Sequence, residues 1–395
     1  MATDTARAPA PAQSPPNSGQ TSQSGQIQDA FKTGHPGPAA PNGSGHALHL
    51  PLDFAADRPV TLSATVFPPS TGDAGLTHET LREMYRYIAL ARALDERIWQ
   101  LNRAGRAPFV VSGQGHEAAL VGAAFALDRE RDVLLPYYRD LAFCLVFGLT
   151  AQDIMLSVLA KEGDPLSGGR QMPAHYGSAR HRIITTSSVV GTQLPQATGV
   201  AYAAKLRRTG QVTVACFGEG ASSEGDFHEA CNFAGIHRLP VVFFCENNRY
   251  AISVPQTQQM AIEHVADRAV GYGFPGVVVD GTDPLAVYLA MRDAADRARR
   301  GEGPTLVEAK VYRFQPHTSD DDDRTYRDPD EVRAWKAHDP LARFETRLRE
   351  VGALDDDSLA EIRNAVKRDI DAATDAAEAA PFPDPATFDR FVYAT

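Results

Sequence analysis

QVTVACFGEGASSEGDFHEACNFAGIHRLPVVFFCENNRYAIS, residues 211–253, opens on an unbroken apolar run that reads as a buried strand ending at Phe217. A glycine-rich turn follows, and a helix begins near Gly225, so the free N–H groups of its first turn face whatever lies at the strand end. A second apolar run, Val241 to Cys245, leads straight into Glu246, Asn247 and Asn248. In a parallel sheet both strand ends lie on one edge, where such sheets bind ligands. Taken alone, Gly218-x-Gly220 describes either an anion-binding turn or a plain strand-to-helix turn. It matches neither the dinucleotide fingerprint nor the phosphate loop with its GK[ST] ending. The second strand adds a carboxamide 29 positions after Glu219. Glu219 and Asn248 together offer oxygen ligands to one hard cation, and magnesium prefers such ligands and keeps phosphate oxygens among them.

Outward from this segment, further short β-rich runs alternate with helical stretches: Val133 to Leu135, Gly276 to Val279 and Thr305 to Val311. Continuous apolar strands separated by helices predict an α/β fold, a parallel sheet covered by helices on both faces. Upstream, Thr77 caps a predicted helix through Leu81, Met84, Tyr85, Ile88, Leu94, Ile98 and Leu101, which Gly105 ends. Downstream of about residue 330 two amphipathic helices are predicted. One runs through Leu341, Phe344, Leu348 and Val351 with Asp339-Pro340 as its start; the other runs through Leu359, Ile362, Val366 and Ile370. The predicted organisation is a disordered or extended arm over 1–70, an α/β domain over 71–328 and a helical region over 329–395. The arm is rich in Pro, Gly, Ser, Gln and Ala, with Phe31 the only aromatic in its first 50 residues, too little apolar surface to offset chain entropy.

The 395 residues are 43% hydrophobic and 23% charged, an ordinary globular composition with a net charge of −11. That balance argues against nucleic acid or an anionic membrane as partner, because both select basic faces. No apolar run reaches the roughly 18 residues of a membrane span. Cys144, Cys216, Cys231 and Cys245 lie in apolar segments without CxxC spacing, and no export or transit signal is evident. They read as buried free thiols in a reducing cytoplasm.

The Gly-(Asp/Glu)-Gly turn followed by Asn-Asn resembles the signature of thiamine diphosphate enzymes. The wider match is to the alpha subunit of the decarboxylating first component of 2-oxo-acid dehydrogenase complexes, over about residues 65–395. GRQMPAHYG (169–177), SSVVGTQLPQATGVAYAAK (187–205), GEGASSEGD (218–226), NNRYAIS (247–253) and HTSDDDDRTYR (317–327) resemble its branched-chain type. The pyruvate type carries a glycine-richer pattern where GRQMPAHYG stands.

The resemblance implies that Glu219, Asn248 and the Tyr250 carbonyl hold magnesium, and that magnesium holds the diphosphate. Gly218, Gly220 and Ala221 line the same turn. Tyr138 and Arg139 match diphosphate-holding residues, Arg suiting that task through its planar fork; outside the family context a salt bridge from Arg139 to Asp140 or another surface acid is the favoured reading. Ser188 and Val190 match positions that meet the aminopyrimidine through the backbone, and Ser187, Thr192 and Gln193 match a potassium-binding loop. His317 matches a histidine on a mobile loop that acts when the acyl group passes to a lipoyl group on a partner acyltransferase, and histidine suits proton handling near neutral pH. Thr318 stands where animal relatives carry a regulatory phosphoserine. His116 and His175 lie in matched segments and read as structural. The chain departs from animal branched-chain enzymes, which carry a basic residue at Glu246 and a glycine at Arg249, so Arg249 is one candidate for the missing diphosphate contact. The glutamate that activates the cofactor belongs in this family to a separate beta chain, implying an alpha2beta2 heterotetramer with a site shared between subunits. The implied reaction is oxidative decarboxylation of branched-chain 2-oxo acids. Rivals are pyruvate or acetoin oxidation on the same fold, a non-catalytic subunit of such a complex, and a nucleotide-binding dehydrogenase, against which the absent GxGxxG spacing speaks.

Overall fold

The computed structural model describes residues 64–185 and 187–390. The first part carries β1 (Thr65–Val66), α1 (His78–Arg103), α2 (Glu117–Phe125), β2 (Val133–Leu135), α3 (Leu141–Val146) and α4 (Ala151–Val158). The central part carries α5 (Gln193–Arg207), β3 (Thr213–Gly218), a 3-10 turn over Glu219–Ser223, α6 (Gly225–His237), β4 (Val241–Asn247), β5 (Tyr250–Ala251), β6 (Val254–Pro255) and α7 (Gln256–Gln259). Then come β7 (Gly276–Asp280), α8 (Pro284–Arg299), β8 (Thr305–Lys310), α9 (Pro329–Lys336), α10 (Pro340–Glu350) and α11 (Asp356–Ala379). Six strands form one wholly parallel sheet in the order β1-β7-β8-β4-β3-β2, and β5 and β6 make a separate antiparallel hairpin.

Alternation along the strands sends side chains to two cores. Val214, Cys216, Val242, Phe244, Val307 and Ala309 pack on one face with α1–α4, α8, α10 and α11. Ala215, Phe217, Val241, Phe243, Cys245 and Leu306 pack on the other with α5, α6 and the turn at Val265–Tyr272. Both faces are covered, which is why these strands read as unbroken apolar runs rather than alternating ones. All four cysteines are buried free thiols. Among the described residues no helix is long and apolar enough to cross a membrane.

The predicted helix starts hold: Thr77 accepts the Thr80 N–H at 3.2 Å and Asp339 accepts the Leu341 N–H at 3.0 Å. One predicted boundary shifts, while the helical part starts at Pro329 as expected. The arm assigned to 1–70 gives up its last residues to the sheet, because Thr65–Val66 pairs with β7 and Ser70 Oγ donates to Asp283 at 2.6 Å; residues 1–63 lie outside the described residues. The helical region after 329 has no core of its own, since Phe344, Leu348, Leu359, Val366 and Ile370 belong to the cluster that also holds strand residues. Arg92 of α1 ties this region down, donating to Glu117 at 2.5 Å and Asp339 at 2.7 Å. Replacing the fully buried Leu348 by alanine is therefore expected to cost about 2–5 kcal/mol and to lower the melting of the whole chain in one transition. Two separate calorimetric transitions would instead mark 329–395 as an independent domain.

Candidate cofactor site at the carboxyl edge of the sheet

The residues following β2, β3, β4 and β8 converge on a cavity of about 240 Å³ lined by Tyr138, Arg139, Val190, Gln193, Gly218, Glu219, Gly220, Ala221, Asn248, Tyr250, Arg313 and His317, among others. Glu219 leaves β3 and is 1% exposed. One carboxylate oxygen accepts the Asn248 N–H at 3.1 Å, while the other, Oε1, is buried with no partner. Burial raises the Glu219 carboxyl above its usual range, against the pull of that hydrogen bond and of Arg313 and Arg139. Asn248 Oδ1 accepts the Tyr250 N–H at 3.2 Å, an Asx turn that starts the β5–β6 hairpin. A Cβ at Gly220 would sit 2.8 Å from the Ala251 Cβ, so only glycine lets the hairpin close over the turn. An orphaned carboxylate oxygen beside a carboxamide fits a hard divalent cation.

Two guanidiniums face the same cavity. Arg139, 2% exposed, donates from Nη1 to the Ser112 carbonyl at 2.8 Å and from Nη2 to His317 Nδ1 at 2.9 Å. The Ser112–Gln114 turn is itself held by Asp95, which accepts from Ser112 Oγ, the Gly113 N–H and Gln114 Nε2 at 2.8–2.9 Å. Arg313, 1% exposed, donates from Nη2 to the Ile252 carbonyl and to the Tyr326 hydroxyl, both at 2.9 Å. Burial and the charge of Arg139 push its guanidinium down to about 10. Neither arginine has a carboxylate within ion-pair distance among the described residues. Two buried cations without a counter-charge constitute an anion site.

This geometry bears on two alternatives that the sequence leaves open. Arg139 does not pair with Asp140, whose Oδ2 accepts the Tyr137 N–H at 2.8 Å. Arg249 does not reach the cavity: its guanidinium lies 4.9 Å from the Trp335 ring centroid, and Arg313 supplies the second cation instead. Sequence reasoning passed over Arg313, although it directly follows the Thr305–Val311 strand run; only the place of β8 beside β4 in the sheet brings it to the site. Glu246 turns away from the cavity. Its Oε2 receives His116 Nδ1 at 2.7 Å, and burial with Asp140 nearby raises its carboxyl well above the usual range. Burial, with Arg139 and Arg313 adding to it, lowers His116 well below its usual value, so this histidine is a neutral, structural donor.

The 187–193 loop divides its residues. Ser188 Oγ donates to His175 Nε2 at 2.5 Å, tying that loop to the 169–177 segment, whereas Val190 lines the cavity. Ser187 Oγ accepts the Val189 N–H at 3.0 Å and Thr192 Oγ1 donates to the Val189 carbonyl at 3.1 Å. Gln193 Nε2 reaches the Cys216 carbonyl of β3 at 2.7 Å. Tyr138 stands edge-on to His317, with ring centroids 6.0 Å apart.

His317 receives the Arg139 hydrogen bond at Nδ1, which leaves its proton on Nε2, toward the open side of the ring. Burial first, then Arg139 and Arg313, push the imidazole down to about 3. In cofactor-free protein the His317 ring is therefore expected not to titrate between about pH 5 and 8. Inorganic diphosphate, added as a probe anion, is expected to offset the field of the two arginines and move the midpoint upward. Nitrogen-15 imidazole spectra with and without inorganic diphosphate check this, and a free-protein midpoint near the usual 6.5 would contradict it.

Comparison with known proteins agrees with the geometry. Residues 85–386 match the family model described as Dehydrogenase E1 component. The chain is 53% identical over 320 residues to the 2-oxoisovalerate dehydrogenase subunit alpha of Bacillus subtilis strain 168, covering 81% of this chain and 97% of that protein. It is 41% identical over 299 residues to the pyruvate dehydrogenase E1 component subunit alpha of Staphylococcus aureus strain Mu50, covering 75% and 78%. To the human mitochondrial 2-oxoisovalerate dehydrogenase subunit alpha it is 37% identical over 314 residues, covering 79% and 70%. The parallel sheet, the paired strand-end turns and a match across most of the chain lead to one conclusion: this protein belongs to the dehydrogenase E1 component family, the thiamine diphosphate-dependent 2-oxo-acid dehydrogenases.

Proposed function

We propose that the chain is the alpha subunit of a branched-chain 2-oxo-acid dehydrogenase, acting with a beta subunit in an alpha2beta2 heterotetramer in the cytoplasm. It decarboxylates branched-chain 2-oxo acids oxidatively and passes the acyl unit to the lipoyl group of a partner acyltransferase. The observation that carries this reading is the cavity in which two unpaired guanidiniums, Arg139 and Arg313, share space with the orphaned oxygen of Glu219. An anion and a divalent cation held together satisfy both. The higher identity to a 2-oxoisovalerate-type relative than to a pyruvate-type one supports the branched-chain substrate.

In this reading Glu219, Asn248 and the Tyr250 carbonyl hold magnesium, while Arg139, Arg313 and Tyr138 hold the diphosphate. Gly218, Gly220 and Ala221 give the backbone room to approach it. Val190 and the Ser188 backbone meet the aminopyrimidine; Ser187, Thr192 and Gln193 form a potassium loop. Thiamine diphosphate, when bound, supplies the electron sink for loss of carbon dioxide. The protein positions and shields. His317, held neutral with its proton on Nε2, would donate a hydrogen bond to the acyl oxygen and supply a proton to the sulfur released when the lipoyl disulfide, the two-electron oxidant of the reaction, opens to take the acyl group on its other sulfur. The second reading, pyruvate oxidation, draws on the S. aureus relative.

Three measurements test this on the assembled alpha–beta protein. Glu219→Ala is expected to weaken magnesium-dependent thiamine diphosphate binding by about 100-fold in calorimetry, given what loss of ligand-shell groups costs elsewhere. His317→Asn should retain that binding and lose about 10²-fold or more in acyl transfer to lipoamide. Assays with 3-methyl-2-oxobutanoate and pyruvate should give the larger kcat/KM with the branched acid; a strong preference for pyruvate would hand the assignment to the second reading.

A further inference from the structure

Arg249 sits at φ +74°, the left-handed region that side-chain-bearing residues avoid and glycine enters freely. It lies between Asn248 and Tyr250, both assigned above to magnesium, so strain at this residue bears directly on the metal site. Its backbone is fastened on both sides: its N–H donates to Asn247 Oδ1 at 3.0 Å and its carbonyl accepts the Gln256 N–H at 2.8 Å. Its guanidinium lies over the indole of Trp335, 4.9 Å from the ring centroid. That indole is stacked on Tyr312, with centroids 5.1 Å apart and planes 5° from parallel. Tyr312 is 1% exposed and immediately precedes Arg313 in the chain. The Arg327 guanidinium lies 5.3 Å from the Tyr312 centroid, and Tyr250 meets Tyr312 edge-on at 6.5 Å. A second tie comes from the same helix, α9, where Glu331 accepts a hydrogen bond from the Tyr250 hydroxyl at 2.8 Å.

Helix α9 thus grips both ends of the Arg249–Tyr250 pair, one by cation–π stacking and one by a hydrogen bond, while resting on the segment that delivers Arg313. None of these α9 side chains lines the cavity. We propose that Trp335 is a positioning residue: its indole, stacked on Tyr312 and covered by Arg249, works with the Glu331–Tyr250 bond to hold the magnesium-binding hairpin in place and to stabilise Arg249 in a glycine-like backbone conformation. The proposal rests on the metal assignment of Glu219, Asn248 and Tyr250 above. It gives the region after residue 329 a task at the site: the strained turn is held from outside by an aromatic lever on α9.

The test is a magnesium titration of thiamine diphosphate binding by calorimetry on the assembled alpha–beta protein, with turnover measured at saturating magnesium. Trp335→Ala is expected to raise the half-saturating magnesium concentration about tenfold, the equivalent of one lost stacking and cation–π contact. Turnover at saturating metal changes much less, a split that general misfolding would not produce. Trp335→Phe restores most of the affinity, and Arg249→Gly added to Trp335→Ala recovers part of it, because glycine needs no stack to hold φ +74°. Should Trp335→Ala not assemble, Glu331→Ala, which removes the acceptor of the Tyr250 hydroxyl, is read in the same titration and shifts it in the same direction. Titrations of Trp335→Ala or Glu331→Ala that superimpose on the parent, while Glu219→Ala loses its metal dependence, overturn the clamp and leave the metal site standing. If Glu219→Ala itself titrates like the parent, the metal assignment fails and the clamp with it.

Discussion

Two guanidiniums buried without a carboxylate partner are the constraint from which this site follows. A buried charge is costly unless compensated, and Arg139 and Arg313 are compensated in the described structure by carbonyls, a phenol and an imidazole, none of which carries negative charge. Everything near them is arranged to tolerate this. Asp95 braces the Ser112 turn that receives Arg139, His317 is held neutral, and His116 is held neutral beneath. The parallel sheet makes the arrangement possible, because strand ends separated by up to 174 positions, from Arg139 to Arg313, meet on one edge.

The acidic side of the balance is divided into two layers. Facing the cavity, Glu219 has one carboxylate oxygen buried without a hydrogen-bond partner. Behind it, Glu246 and Asp140 face the interior, and burial raises both carboxyls, Asp140 to about 6. The shift is largest for Glu246, whose burial favours the uncharged carboxyl, and an uncharged carboxyl does not neutralise the neighbouring arginines. An acid standing where animal relatives carry a base thus stays compatible with an anion site: Glu246 is turned inward to His116, and Arg313 provides the charge from another strand.

Much of the site was legible because its chemistry is local. The turn after Phe217 and the Asn-Asn after Cys245 each sit within a few residues of a strand whose apolar run is unmistakable, so Glu219 and Asn248 could be paired before any coordinates. The helix starts at Thr77 and Asp339 were legible for the same reason, since caps act within one turn. What escaped was long-range. Arg313 lies 94 positions from Glu219, and no pattern in its own neighbourhood marks it. Whether Arg249 reaches the diphosphate is open in the sequence; a residue at φ +74° aims its side chain by the turn, and the turn sends it to Trp335.

The amino-acid sequence by itself determined the fold class and the family, and it marked the strand ends that bring Glu219 and Asn248 together, because periodicity and strand-end motifs are properties of short segments. Tertiary structure alone decided which arginines share one cavity, which buried acids are raised above their usual range, that β1 pairs with the edge of the sheet while the C-terminal helices join the main core, and that α9 braces the hairpin. These depend on the order of strands in the sheet and on burial. Charge and hydrogen bonding inside a protein are set by what lies within a few ångströms, and distance along the chain does not report that.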